Sequence, residues 1–554
     1  MKIIASLLLV ATAASAARAA KVPSVSELSV EELVGQTFIV ALDTDLAKAR
    51  EADIRTGRLG GALLRWDRFT GDEAREFSVL LREWSNASPH AVPFWLSTDH
   101  EGGPTFTQRR YGLPPFPGNM ALGATGSESL TRDAAKATAR GLRALGISVT
   151  FAPSLDVNSN PANPIIGLRS FGEDPALVSR LGKAALRGYR EGGVLAVVKH
   201  FPGHGDTSDD SHLGLPVSTK TLSALERVEL APFRAAFKDG AEGAMPAHMV
   251  FAALGTSTST PVTLSSAAVE GFLRGKLSFS GLVFTDSLDM GAIANVYGSS
   301  EAAVMSLLAG DDVLLLGKGD FPSSFAAVVD AVNTGRLPRA RLESSVARIL
   351  EAKRRLGLFE EPPIRPLPLA ERAKDHRLAR VVADSAVTLV RNDGLLPLRL
   401  REDQTLGVVL FHSWRYNEEA SRFVLALSSR HARVEVLDFA TVSPSTAAVD
   451  DAARRLKGAA AVVVGTYQYG TPISAAQVAL LRRLAVSRTP VAAVSLMNPY
   501  DLAASTSAAA AICVYGMTDS SLDAATRLLF GAIKPRGRLP VSVPGVASAG
   551  DGLR

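Results

Sequence analysis

Along the first two thirds of the chain, short apolar runs alternate with longer stretches whose apolar positions recur every three or four residues. Eight short runs have strand character: 38–42, 61–66, 94–99, 148–156, 195–201, 243–248, 282–286 and 312–317. Runs of this kind separated by helical patterns are what βα units produce. The helical pattern is plain after Asp174, which can cap a helix whose first position is Pro175. Leu177, Leu181, Ala184, Ala185 and Tyr189 then form one apolar stripe, and Gly192-Gly193 ends it. Eight such strands between helices predict an α/β fold of the (β/α)8 TIM-barrel type.

The Pro-rich stretch Glu360-Glu361-Pro362-Pro363-Ile364-Arg365-Pro366-Leu367-Pro368 interrupts this rhythm and reads as a linker. Buried-strand runs resume at 407–411, 434–439, 460–466, 491–496 and 511–515, separated by helical stretches such as 475–484. They predict a second, smaller α/β domain with a layered open sheet. The expected organisation is a leader over 1–20, a barrel over 21–360, a linker over 361–376 and the second domain over 377–554.

The 554 residues are 47% hydrophobic and 21% charged, as in a soluble globular protein, with a net charge of +5 and no long basic run. That excess does not point to nucleic acid. The segment Gly465-Thr-Tyr-Gln-Tyr-Gly470 is neither a Walker nor a Rossmann fingerprint, so no nucleotide cofactor is expected. The single cysteine, Cys513, sits in an apolar run and reads as a core residue. At the N-terminus, Lys2, an apolar stretch and Ala17-Arg18-Ala19 form a secretory signal pattern. Export to the periplasm or medium is expected, with cleavage near Ala19-Ala20. The apolar stretch is too short for a membrane span.

Several expected strands end in groups capable of chemistry: Asp99, Asp156, Lys199-His200, His248 and Asp286. In a TIM barrel these ends converge on one mouth. The densest cluster runs from Lys199 to His212, with three of the nine histidines and two glycines of a loop. Asp210 and His212 are two residues apart, so in an extended segment both point the same way. A carboxylate-paired imidazole can give and take protons near neutral pH, although an isolated D-x-H is more often a solvated loop. Asp286 is delivered by a buried strand, and a rigidly held carboxylate suits a glycosidase nucleophile.

Taken together, these motifs resemble family 3 glycoside hydrolases, in the branch of bacterial β-N-acetylglucosaminidases. The resemblance rests on STDHEGG (97–103), FPGNMALGA (116–124), NPIIGLRSFGEDP (163–175), KHFPGHGDTSDDSH (199–212) and FTDSLDM (284–290). TLVRNDGLLPL (388–398) and GRLPVSVP (537–544) resemble the second domain of two-domain members. By motif, the resemblance implies Asp286 as nucleophile, His212 as acid/base and Asp210 as its partner. It also implies that Asp99, Arg169, Lys199 and His200 grip the sugar hydroxyls, with His248 lining the pocket. The family usually places an Arg soon after EGG. Here Arg109 fills that role if the loop is longer. The implied reaction releases terminal β-linked N-acetylglucosamine from peptidoglycan fragments or chitooligosaccharides with retention, through a glycosyl-Asp intermediate, without metal or cofactor.

Four other readings stay open on the sequence alone. A metallohydrolase could use His200, His204, Asp210, His212 and His248, but barrel metallohydrolases usually bear an H-x-H on the first strand, where this chain has Asp43-Thr-Asp45. A β-glucosidase or xylosidase of the family would generally lack the D-x-H loop. A phosphorylase is compatible with a His in place of a second carboxylate. A non-catalytic wall-binding protein would need Asp286 or His212 to be missing, and both are present.

Overall fold

The computed structural model describes residues 22–65, 68–209, 214–257, 259–470 and 472–554. Eight parallel strands form the first sheet: β1 Phe38–Leu42, β2 Gly61–Leu64, β3 Trp95–Thr98, β4 Val149–Thr150, β5 Leu195–Phe201, β6 Gly243–Pro246, β7 Leu282–Val283 and β8 Leu314–Leu315. The ladder runs from β8 through β1 to β7 in chain order. A parallel bridge between Phe284 and Val313 joins β7 to β8 and closes the ring. All eight expected strands are present, and β1 and β5 occupy their full expected runs. Others are shorter at the carboxyl end for a local reason. Pro246 ends β6, and Pro153 follows β4, because a proline has no N–H to give the ladder.

Inside the ring, Ile39, Trp95, Phe151, Val197, Met245 and Phe284 interlock. Trp95 and Phe151 meet Phe284 edge-on at centroid distances of 6.3 and 5.9 Å. The interior is thus a packed core rather than a pore. The helix Pro175–Glu191 starts at Asp174, whose side chain accepts from the Ala176 amide, and buries Val178, Leu181, Ala185 and Tyr189 against the sheet.

The second domain is a six-stranded sheet: β9 Thr388–Asn392, β10 Leu406–Phe411, β11 Val434–Phe439, β12 Ala461–Thr466, β13 Val491–Ser495 and β14 Ala510–Cys513. Its order is β9-β14-β13-β12-β10-β11, and only β9 runs antiparallel to its neighbour. Separate apolar clusters cover its two faces. Periodicity did not predict β9, whose last residues Arg391 and Asn392 break the apolar run. The helix Leu369–Ala386 begins inside the stretch expected as linker. Cys513 is a buried free thiol.

The loops beyond the carboxyl ends of this sheet meet the mouth of the barrel. Tyr416 Oη donates to the Pro104 carbonyl at 3.0 Å, and Asn158 Nδ2 donates to Tyr500 Oη at 2.6 Å. Met120, Ala121, Ala124 and Leu168 of the barrel are built into the second domain's core. Among the described residues, no helix is long and apolar enough to cross a membrane.

Candidate active site

At the carboxyl ends of the barrel strands lies a cleft of about 510 Å³. Asp99, Arg169, Lys199, His200 and Asp286 line it together, with Arg65, Phe106, His204 and Asp289 beside them. A larger cavity of about 760 Å³, lined by Leu81, Arg143 and Pro363 among others, contains none of these groups. These charged groups gather in the smaller one.

Opposite charges are interleaved along one wall. Lys199 Nζ sits 2.9 Å from Asp99 Oδ1 and 2.8 Å from Glu101 Oε1. Arg169 grips the same Glu101 with two donors, Nε at 2.9 Å and Nη2 at 2.8 Å. The two cations and two carboxylates balance, which allows charges to persist out of water. Burial alone would push the Glu101 carboxyl up, but Arg169 and Lys199 hold it down at about 2. Burial likewise disfavours the Lys199 ammonium, and Asp99 and Glu101 more than offset it, so Lys199 stays charged. Phe106, with φ of 46°, places its ring 4.0 Å from the Arg169 guanidinium.

A second set of bonds orients His200. Its Nδ1 lies 2.8 Å from Asp156 Oδ2, which also accepts from Ser154 Oγ at 2.8 Å. Asp156 Oδ1 accepts from the His204 amide at 2.6 Å. Burial works against this carboxylate, yet His200 and the other donors keep it well below the usual range. An ionised Asp156 makes Nδ1 the protonated nitrogen, and Arg169 Nη2 faces Nε2 at 3.4 Å. His204 is pushed down to about 4, chiefly by burial and then by His200, and is neutral at pH 7.

Asp286 stands two positions beyond the barrel bridge at Phe284, and its Oδ1 accepts from the Ser287 amide at 2.7 Å. Burial would raise its carboxyl, but His248, His200 and Lys199 hold it at about 2. It is therefore an anion at neutral pH, fixed by backbone and open to the cleft. Such a group can attack an electrophilic carbon. Asp289 also lines the cleft. It accepts from Ser287 Oγ at 2.5 Å and from the Lys318 amide at 2.8 Å.

Two expected pocket residues are placed elsewhere. Arg109 does not reach the cleft: its Nη1 bonds the Arg415 carbonyl at 2.8 Å and Glu419 at 3.2 Å, and its guanidinium lies over the Tyr416 ring. The second domain supplies carbonyl, carboxylate and ring together, and that set outcompetes an exposed position at the mouth. Arg65, ion-paired to Asp43, stands in the cleft beside Arg169. His248 is 1% exposed and stands behind the wall, with Nε2–H donating to the Ser287 carbonyl at 3.1 Å and Nδ1 2.8 Å from Thr263 Oγ1. It backs Asp286 instead of facing a ligand. Asp210 and His212 lie outside the described residues. The loop leading to them is tied near the cleft, where Asp206 accepts from Ser159 Oγ at 3.2 Å and pairs with Lys220 at 2.9 Å. Among the described residues no group of three or more His, Cys, Asp or Glu side chains is arranged to hold a metal ion.

The sequence reading passed over Glu101, although it lies in the quoted STDHEGG motif two residues after Asp99 and so on the same side of an extended segment. Asp156 was visible only as one more polar strand end.

The family model of the glycosyl hydrolase family 3 N-terminal domain matches residues 29–352. The chain belongs to glycosyl hydrolase family 3. A β-hexosaminidase A from Pseudoalteromonas piscicida is 35% identical over 340 residues, which are 58% of this chain and 57% of that protein. The match thus spans little more than half the length of that curated relative. A β-hexosaminidase of Mycobacterium tuberculosis is 35% identical over 345 residues, 61% of this chain and 86% of its own length. The solved structure of a family 3 β-N-acetylglucosaminidase from Paenibacillus sp. FPU-7 superposes with a TM-score of 0.84 at 33% identity. That superposition covers 93% of this chain and 99% of the other.

Proposed function

We propose that the protein is a retaining, exo-acting β-N-acetylglucosaminidase. The observation that carries this reading is Asp286, an ionised carboxylate held by backbone at the cleft floor beside the Asp99–Lys199–Glu101–Arg169 network. The likeness to a solved family 3 β-N-acetylglucosaminidase, which covers 93% of this chain, supports it. Asp99, Lys199 and Arg169 bind the hydroxyls of a terminal sugar. Asp286 attacks the anomeric carbon, and His212, oriented by Asp210, protonates the departing oxygen. Water activated by His212 then releases the sugar from Asp286 with its configuration retained. The substrates are N-acetylglucosamine-containing glycans, peptidoglycan fragments or chitooligosaccharides, met after export.

The test is hydrolysis of a chromogenic β-N-acetylglucosaminide beside the β-glucoside, by wild type, Asp286→Ala and His212→Ala, with and without phosphate. Selective cleavage of the first, reduced by about 10³-fold or more in Asp286→Ala, is expected. Preference for the glucoside overturns the substrate assignment. A rate that requires phosphate replaces the hydrolase with a phosphorylase.

A further inference from the structure

The turn Gly167–Arg169 carries Arg169 into the cleft, and part of what holds it lies in the second domain. The Gly167 amide donates to Asn158 Oδ1 at 3.1 Å. Asn158 is 1% exposed, and its Nδ2 donates to Tyr500 Oη of the second domain at 2.6 Å. Leu168 is buried in the second domain's core. The Arg169 carbonyl accepts from Asn119 Nδ2 at 2.7 Å, on the helix Asn119–Thr125, whose Met120, Ala121 and Ala124 enter the same core. Gly167 has φ of 44°, and a Cβ there would stand 2.7 Å from Asn498 Oδ1. Asn498 and Tyr500 border and begin the short helix Pro499–Ala504 of the second domain. The segment Asn498–Tyr500 thus lies close over the turn at Gly167 and hydrogen-bonds it through Asn158.

We propose that Tyr500 is a positioning residue for the cleft: through Asn158 it sets the turn that aims Arg169 at the substrate. This rests on reading the cleft as a sugar site. The second domain then acts on the reaction without contributing a reacting group. The geometry gives the link its sense. Asn158 spends its amide oxygen on Gly167 and its amide nitrogen on Tyr500, so loss of either partner frees the side chain to rotate. Arg169 would keep its grip on Glu101 while its backbone shifted, and a displacement of about 1 Å at a binding group weakens substrate capture.

The experiment uses the full chain with Tyr500→Phe and Asn158→Ser, each alone and combined with Arg169→Lys. Both single variants are expected to raise KM for the β-N-acetylglucosaminide about tenfold while kcat changes less than about threefold. In the Arg169→Lys background neither should add a further loss, because the residue they position is already altered. Unchanged KM in both single variants, or a loss of equal size in the Arg169→Lys background, overturns the proposal. Amide hydrogen exchange over residues 163–172 provides a readout that needs no substrate. Faster exchange in Tyr500→Phe sustains the link even if wild type cleaves no β-N-acetylglucosaminide, an outcome that would defeat the functional reading alone. Unchanged exchange rejects it.

Discussion

Strands β7 and β8 lie side by side in the barrel, and each has an aspartate beside it. Asp286 follows the carboxyl end of β7, and Asp312 precedes the amino end of β8. The fold treats the two carboxylates in opposite ways. Asp312 is fully buried and receives Arg274 Nη2 at 2.6 Å, Ser345 Oγ at 2.7 Å, Arg348 Nη1 at 2.9 Å and the Val283 amide at 3.0 Å. Its oxygens are committed, and the pairs tie outer helices to the sheet. Asp286 receives the neighbouring Ser287 amide, and its charge is balanced by His248, His200 and Lys199. Lone pairs remain for a ligand. Closed polar sets at the amino end hold a barrel together, whereas open ones at the carboxyl end do chemistry.

The sharpest break of this comparison is Asp312→Ala, which takes the carboxylate from the nearly buried Arg274. A loss of about 3–5 kcal/mol in unfolding free energy is expected, with kcat/KM per folded molecule nearly unchanged. Denaturant melts and active-site titration measure the two quantities. A stable but inactive variant would show that the amino end is not merely structural.

Asp99→Ala is the mirror case. Lys199 keeps Glu101 at 2.8 Å, so the loss of unfolding free energy should stay below that of Asp312→Ala. The variant should lower kcat/KM by about 1.5–3 kcal/mol, the usual worth of hydrogen bonds to a charged group. Steady-state kinetics on the same chromogenic substrate decide this.

Asp311, adjacent to Asp312, sharpens the contrast through pH. Burial, and then the Asp312 charge, push its carboxyl well above the usual range. The folded state therefore holds a proton that the unfolded chain releases above its ordinary pKa, and wild-type stability falls as pH rises from about 4. Asp311→Asn should remove that slope. The variant should match wild type near pH 4 and exceed it at pH 7. Melts across that range would reveal a parallel pair of curves if Asp311 were ionised.

The smallest effect is expected at Arg109. Its exposed contacts are all with the second domain, so Arg109→Ala should change KM less than twofold and stability by roughly 1 kcal/mol or less. A tenfold rise in KM would return Arg109 to the cleft.

Particular residues mark where reading the chain was enough. The apolar runs at 38–42 and 195–201 were legible as strands because a parallel strand covered on both faces leaves no room for polar positions. Asp99, Lys199, His200 and Asp286 were legible because strand ends in a barrel share one mouth. Glu101 was not, since its importance comes from Arg169, 68 residues away, and from Lys199. Arg109 was misplaced because its partners lie 306 and 310 positions further on.

The sequence by itself determined the periodicities, and through them the eight strands, the second sheet and the strand ends where chemistry collects. Those follow from burial, which each residue's own polarity and its near neighbours largely decide. Only the tertiary structure decided which charges became partners and which stayed open to a ligand. Ion pairs and hydrogen bonds act over a few ångströms and in fixed directions. Contacts such as Asn158 to Tyr500, across 342 positions, exist only once the two domains have met.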